Sequence, residues 1–284
     1  MGSQERTAVA ALSAGPVEYR LERQGEDTVI VFHGGHMRAD LPLGEEVFLD
    51  LGYSLLVPSR PGYGRTPLRT GTTPVAFADA VADLCDHLGI GRVAAVVGVS
   101  AGGPTAVTMA ARHPGLVRRL ILESALSFLP YPDRRTRLAA NIVFSPATEK
   151  VTWGAVHALM RLAPALGLRM MLADLATQPA RRVAAALTPA DRERLVTLFS
   201  RMRSGSGFLN DLRPCLDVTG EVTQPALVIA SRNDGAMPYA HAESLMARLS
   251  RAELVESRAA SHFIWFAEDY PAVAGRIGDF LAGA

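Results

Sequence analysis

Gly98-Val99-Ser100-Ala101-Gly102 lies between two stretches of opposite character. Before it runs Val93-Ala94-Ala95-Val96-Val97, apolar and rich in β-branched residues, which reads as a buried strand. After it, the alanine-rich stretch from Pro104 to Arg112 reads as a helix. A backbone that passes from strand to helix so abruptly has no room for side chains beside the turn. Glycine at 98 and 102 lets the two elements fold together, and Ser100 at the apex is held in a strained conformation. Strand, tight turn and helix with a serine at the apex is the setting in which that serine serves as a nucleophile. The spacing alone is common; the placement between strand and helix makes it specific.

Outward from this turn the chain alternates. Val17 to Leu21, Thr28 to Phe32, Tyr53 to Val57 and Leu120 to Glu123 read as strands, and Gly44 to Leu51 and Phe77 to Leu88 as helices. Such alternation predicts an α/β fold with a mainly parallel sheet, and near-continuous apolar runs fit strands buried on both faces. Between Leu126 and Thr219 strand patterns vanish, and helical stretches broken by prolines and glycines take over. The rhythm then resumes with a strand at Ala226 to Ala230, a helix at His241 to Leu249, a strand at Ala252 to Ser257 and a closing helix at Asp269 to Leu281. We therefore expect a core from 1–125 and 220–284 with a helical insertion at 126–219. Ser204-Gly205-Ser206-Gly207, late in the insertion, reads either as a hinge or as a solvent loop.

Bulk properties exclude several classes. With 284 residues, 49 % hydrophobic and 20 % charged, the chain has an ordinary globular profile. A net charge of +1 with no basic block predicts no nucleic-acid or anionic-membrane partner. The two cysteines, Cys85 and Cys215, have no metal-ligand spacing, and no metal or organic cofactor is expected. Neither a signal peptide nor a transmembrane span is legible, so a cytoplasmic monomer or homodimer is expected.

A serine hydroxyl needs an imidazole to take its proton and a carboxylate to orient that imidazole. The strand at 226–230 runs into Ser231-Arg232-Asn233-Asp234-Gly235, and the strand ending near Ser257 runs into Ala259-Ala260-Ser261-His262. Asp234 and His262 thus leave the carboxyl ends of strands, as Ser100 does, where open α/β sheets place their sites. The order Ser, Asp, His fits such a fold. Glu123 and Asp217 compete for the orienting role, each lying beside a strand. The Ala101 N–H, next to the serine, suits one donor to a developing oxyanion. The second is expected from His33-Gly34-Gly35-His36, with Gly35 first and His36 as the alternative. His33 is expected to brace this loop; a metal reading of His33 and His36 lacks further ligands.

These segments, with Arg60-Pro61-Gly62-Tyr63-Gly64 and Arg112-His113-Pro114, resemble the α/β-hydrolase superfamily from about Val17 to the C-terminus. The resemblance implies a mostly parallel central sheet flanked by helices, with the insertion as an α-helical cap over the site. It implies a serine hydrolase acting on a small-molecule carboxylic ester or lactone, with Ser100, Asp234 and His262 as catalytic triad and Gly35 and Ala101 as oxyanion hole. A carbon–carbon bond hydrolase or an aminopeptidase of the same fold is the alternative, and a non-catalytic small-molecule receptor is the alternative outside enzymes. One departure stands out: Ser59-Arg60 occupies the place where many relatives carry an aspartate before the Pro-Gly-x-Gly turn. Among apolar cap residues, Phe128, Trp153, Met160, Met170, Met171, Phe199 and Phe208 are candidates for the pocket wall, and they favour a medium-sized apolar acyl or lactone substrate.

Overall fold

The computed structural model describes residues 7–283. Eight strands form one sheet: β1 (Ala8–Leu12), β2 (Gly15–Glu22), β3 (Thr28–Phe32), β4 (Ser54–Pro58), β5 (Val93–Val99), β6 (Leu120–Glu123), β7 (Ala226–Ala230) and β8 (Ala252–Glu256). Their spatial order is β1-β2-β4-β3-β5-β6-β7-β8. The β1–β2 and β2–β4 pairs are antiparallel, and every other pair is parallel. The expected mostly parallel α/β sheet is present, extended at one edge by β1.

The strands from β3 to β7 are buried at every residue, which is why they read as unbroken apolar runs. Alternate residues point to opposite faces. Val29 and Val31 join a cluster with α1 (Glu46–Asp50) and α11 (Tyr270–Ala282). Ile30 and Phe32 join one with α2 (Pro74–His87), α3 (Gly103–Arg112) and α10 (Ala240–Arg248). Each buried Val, Leu or Ile contributes about 1.5–3 kcal/mol relative to exposure.

Between β6 and β7 come α4 (Arg134–Val143), α5 (Glu149–Leu162), α6 (Pro164–Ala173), α7 (Ala180–Ala186), α8 (Pro189–Phe199) and α9 (Gly207–Asp211). Trp153, Met160, Leu168 and Leu172 of this insertion share the α1/α11 cluster, so its core is continuous with one layer of the sheet.

Chain order places the site. The connection after β3 leads to β4 on one side and the connection after β5 leads to β6 on the other, so a crevice opens between these neighbouring strands at their carboxyl ends. Phe32 pairs with Gly98, so the loop after β3 emerges beside the Ser100 turn. β7 and β8 are parallel neighbours, which brings their following loops together.

Candidate active site

Ser100 has φ 51°, in the left-handed region that an L side chain rarely adopts. A Cβ on Gly102 would stand 2.0 Å from the Phe32 carbonyl oxygen, which is why the turn needs glycine there. Among the described residues only His36 (φ 65°), Ser100 and Ser124 (φ 44°) are non-glycine residues at positive φ. All three follow carboxyl ends of adjacent strands, so the backbone strain of this fold is concentrated at one crevice.

Asp234 and His262 meet there. His262 Nδ1 donates to Asp234 Oδ2 at 2.7 Å, which leaves Nε2 as the ring's acceptor. Asp234 Oδ1 accepts the N–H groups of Ala236 at 2.8 Å and Met237 at 2.7 Å. Three donors on this buried carboxylate fix its direction. The His262 backbone is held from both sides: its N–H donates to the Leu175 carbonyl at 2.7 Å, and its carbonyl accepts the Ser124 hydroxyl at 3.1 Å. Ser100 Oγ makes no hydrogen bond in this structure to His262, whose Nδ1 is engaged by Asp234.

The competing acids lie elsewhere. Glu123 Oε2 accepts from Trp265 Nε1 at 3.3 Å, while Oε1 is buried without a partner. Burial pushes its pKa up to about 8, with the nearby Glu45 charge adding to the effect. Asp217 caps the turn at Thr219 and pairs with Arg248.

The His33-Gly34-Gly35-His36 loop presses on the serine: a Cβ on Gly34 would come 2.8 Å from Ser100 Cβ. His33 faces inward, with Nε2 3.4 Å from Glu45 Oε1. Burial opposes the Glu45 charge, but His33 and Arg20 hold its pKa down to about 2. His36 turns the other way, its Nδ1 2.8 Å from the Ser204 hydroxyl, and its ring packs on Phe208, Phe144 and Trp153. Burial, helped by the Arg60 charge, pushes the His36 pKa down to about 3, so the ring is neutral at ordinary pH.

Sequence reading missed the device that holds this loop. Arg60 Nε donates to the His33 carbonyl at 2.7 Å, while its two terminal nitrogens grip Asp211 of α9 at 2.6 and 2.7 Å. The Tyr63 hydroxyl donates to Asp211 Oδ2 at 2.6 Å and is itself approached by the His36 N–H. One carboxylate from the insertion thus anchors two side chains that hold both ends of the loop. Burial works against the Arg60 charge, but Asp211 and Tyr63 hold the guanidinium firmly protonated. Arg60 was visible only as a departure from a motif. Asp211 carried no sequence signal, because 151 residues separate the pair.

The Ser204 segment is neither an open hinge nor a solvent loop. Ser204 is fully buried, accepts Trp153 Nε1 at 2.7 Å, and its neighbour Gly207 donates its N–H to the Gly62 carbonyl. Of the apolar candidates for the pocket wall, Phe208 lies against Gly35 and Phe128 borders a cavity next to Ala101. Trp153, Met160 and Phe199 are buried packing residues, and Met170 is 58 % exposed on the outer surface.

With strand order, turn and neighbouring loops in place, comparison with known proteins identifies the class. The sequence pattern of the alpha/beta hydrolase fold family matches residues 27–269, and the chain belongs to that family. It is an enzyme, a hydrolase of this fold. It is similar to an uncharacterized hydrolase, YcgS, of Bacillus subtilis (strain 168), 32 % identical over 98 % of both chains. A pimeloyl-[acyl-carrier protein] methyl ester esterase of Aromatoleum aromaticum is 32 % identical over 80 % of this chain and 87 % of its own. Among solved structures, an alpha/beta hydrolase fold protein from Nakamurella multipartita superposes with a TM-score of 0.83 at 25 % identity, covering 98 % of this chain and 100 % of that one. Among the described residues no helix is long and apolar enough to cross a membrane.

Proposed function

We propose that this hydrolase cleaves a carboxylic ester or lactone through an acyl-enzyme on Ser100. The observation that carries this reading is the 2.7 Å His262–Asp234 bond, at the crevice where the strained Ser100 turn meets a glycine loop. In this mechanism His262 Nε2 takes the Ser100 proton as Oγ attacks the carbonyl carbon, and Asp234 orients the ring and stabilises the imidazolium. The proton passes to the departing alkoxide. Water, deprotonated by His262, then releases the acid and restores Ser100.

The tetrahedral oxyanion is held by the N–H groups of Ala101 and Gly35. Gly35 is preferred over His36 because it directly follows Gly34, which presses on Ser100. The helical insertion, 126–219, acts as a cap that selects the substrate. The esterase relative supports ester chemistry.

Ser100→Ala tests the proposal. Hydrolysis of p-nitrophenyl esters is expected to fall by about 10⁴-fold or more, and a fluorophosphonate probe is expected to label the native protein and not the variant. Undiminished turnover by the variant would overturn the reading.

A further inference from the structure

Of the non-glycine residues held at positive φ around the crevice, two have a place in the chemistry proposed above. Ser100 is the nucleophile, and His36 ends the oxyanion loop. Ser124, at φ 44°, directly follows β6 and has no such place. It is buried, so contact with solvent does not account for its polar side chain. The left-handed conformation is unfavourable for any residue with a Cβ and persists only where the surroundings impose it. Glycine would hold this bend without strain. A serine here points to a use for its hydroxyl.

That hydroxyl donates to the main-chain carbonyl of His262 at 3.1 Å. The same carbonyl accepts the Ile264 N–H at 3.2 Å, but that contact lies within its own loop. Among the described residues, Ser124 supplies the contact from outside. The backbone around it reaches the other two partners of the reaction. The Ser124 N–H donates at 2.8 Å to the Ile229 carbonyl of β7, the strand that leads to Asp234. The Leu126 N–H donates to the Ser100 carbonyl at 2.9 Å. A Cβ on Gly103 would stand 2.4 Å from the Leu126 carbonyl oxygen, so this segment is also pressed onto the start of α3. Residues 124–126 therefore join the serine turn, the strand before Asp234 and His262 by direct hydrogen bonds. The Ser124 hydroxyl is the one side chain in that set.

We propose that Ser124 is a positioning residue, whose hydroxyl fixes the His262 peptide at the distance from Ser100 that proton transfer needs. The inference rests on the Ser100 reading given above and adds to it a residue that acts through His262. For the reaction, Ser100 Oγ and His262 Nε2 must come within hydrogen-bond reach. The imidazole swings from a backbone held on one side by the insertion, where the Leu175 carbonyl takes the His262 N–H at 2.7 Å. Ser124 holds it on the side of the sheet. Without the hydroxyl, the insertion and the histidine loop alone decide where the base stands. A small displacement of a base lengthens the path its proton must cross, which lowers the rate of the chemical step more than it weakens binding.

Three variants separate this role from a structural one. Ser124→Gly removes both the hydroxyl and the strain, Ser124→Ala removes the hydroxyl and keeps the strain, and Ser124→Thr keeps the hydroxyl on a more crowded Cβ. With p-nitrophenyl butyrate, kcat is expected to fall by about five- to tenfold in the glycine and alanine variants alike, the size of one hydrogen bond, with KM within about twofold. Labelling of Ser100 by a fluorophosphonate probe is expected to slow by the same factor. Thermal midpoints are expected to order differently, with the glycine variant above the alanine variant. The threonine variant is expected to keep kcat within about threefold of native even where its midpoint falls. If it does not fold, the glycine and alanine pair carries the test. Native kcat in Ser124→Gly, or activity that follows the thermal midpoint across the variants, would overturn the positioning role and leave Ser100 as nucleophile. Full turnover by Ser100→Ala, with no labelling of the native protein, would instead remove the nucleophile assignment and the positioning role with it.

Discussion

The sheet and the helical insertion are held by different kinds of interaction. Strands β3 to β7 are buried throughout, so ladder hydrogen bonds and apolar contacts hold them from both faces. The insertion keeps large apolar residues on its outer surface, among them Leu138, Ile142, Val151 and Leu162 at 64–79 % exposure. Besides the apolar cluster it shares with one layer of the sheet, two polar anchors tie it to the loops of the candidate site. On the Asp234 side the anchor is backbone: the Leu175 carbonyl takes the N–H of His262 and of Gly235, and the Thr177 N–H reaches the Asn233 carbonyl. On the oxyanion-loop side it is side chain and charge: Arg60 and Tyr63 on Asp211, with Ser204 between His36 and Trp153. A backbone anchor tolerates many sequences and requires only close approach. An ionic anchor in a buried setting fails badly when one partner is lost.

The largest effect is expected where the ionic anchor is broken on one side. Arg60→Met leaves the Asp211 carboxylate without its cation, and a loss of about 3–5 kcal/mol is expected in urea unfolding. The double variant Arg60→Met/Asp211→Leu is expected to recover most of this, since a pair of apolar groups in place of a buried ion pair is often neutral. A cost below about 1 kcal/mol for the single variant would make the anchor a surface pair and erase the contrast.

Gly235→Ala probes the backbone anchor. Its Cβ would stand 2.6 Å from the Ala176 nitrogen and 2.7–2.8 Å from the Ala176 carbonyl, all backbone. About 1–3 kcal/mol of destabilisation is expected, with KM affected as the insertion shifts, and thermal unfolding with ester kinetics reads both. Ser204→Ala comes next. It strands the Trp153 indole N–H, at an expected cost of about 1–2 kcal/mol, visible in the unfolding midpoint and in tryptophan emission.

The last prediction concerns the sheet. Glu123 releases its proton near its ordinary 4.5 when unfolded and near 8 when folded. Between those values the folded state holds the extra proton, so stability falls as pH rises, by at most about 1.4 kcal/mol per pH unit. Glu123→Gln is expected to flatten this slope. Unfolding curves at pH 5, 6 and 7 that stay parallel for the two proteins would show that Glu123 does not titrate in this window.

The same contrast governs what could be read from the sequence. Thr28–Phe32, Leu120–Glu123 and Ala226–Ala230 were legible to the residue, because a strand buried on both faces leaves an unbroken apolar run. β1 was not: Ala8–Leu12 is also apolar, but it is mostly alanine, a weak strand former, and it lies on an antiparallel edge largely open to solvent. In the insertion, an apolar residue on a helix is equally compatible with packing, pocket wall or surface. Phe208 and Met170 look alike in sequence and end up against Gly35 and in solvent. Asp234 and His262 were found by their places after strands. Arg60, Tyr63 and Asp211 work only through a contact between distant segments.

The positive φ of Ser100 has a further consequence. Glycine adopts that conformation without strain, so Ser100→Gly is expected to be both inert and more heat-resistant than the native protein. A selection for thermal endurance alone, with no demand for turnover, would therefore drift toward glycine at this position. On the proposed mechanism, durability and chemistry select in opposite directions at residue 100, and only continued need for the reaction keeps a side chain there.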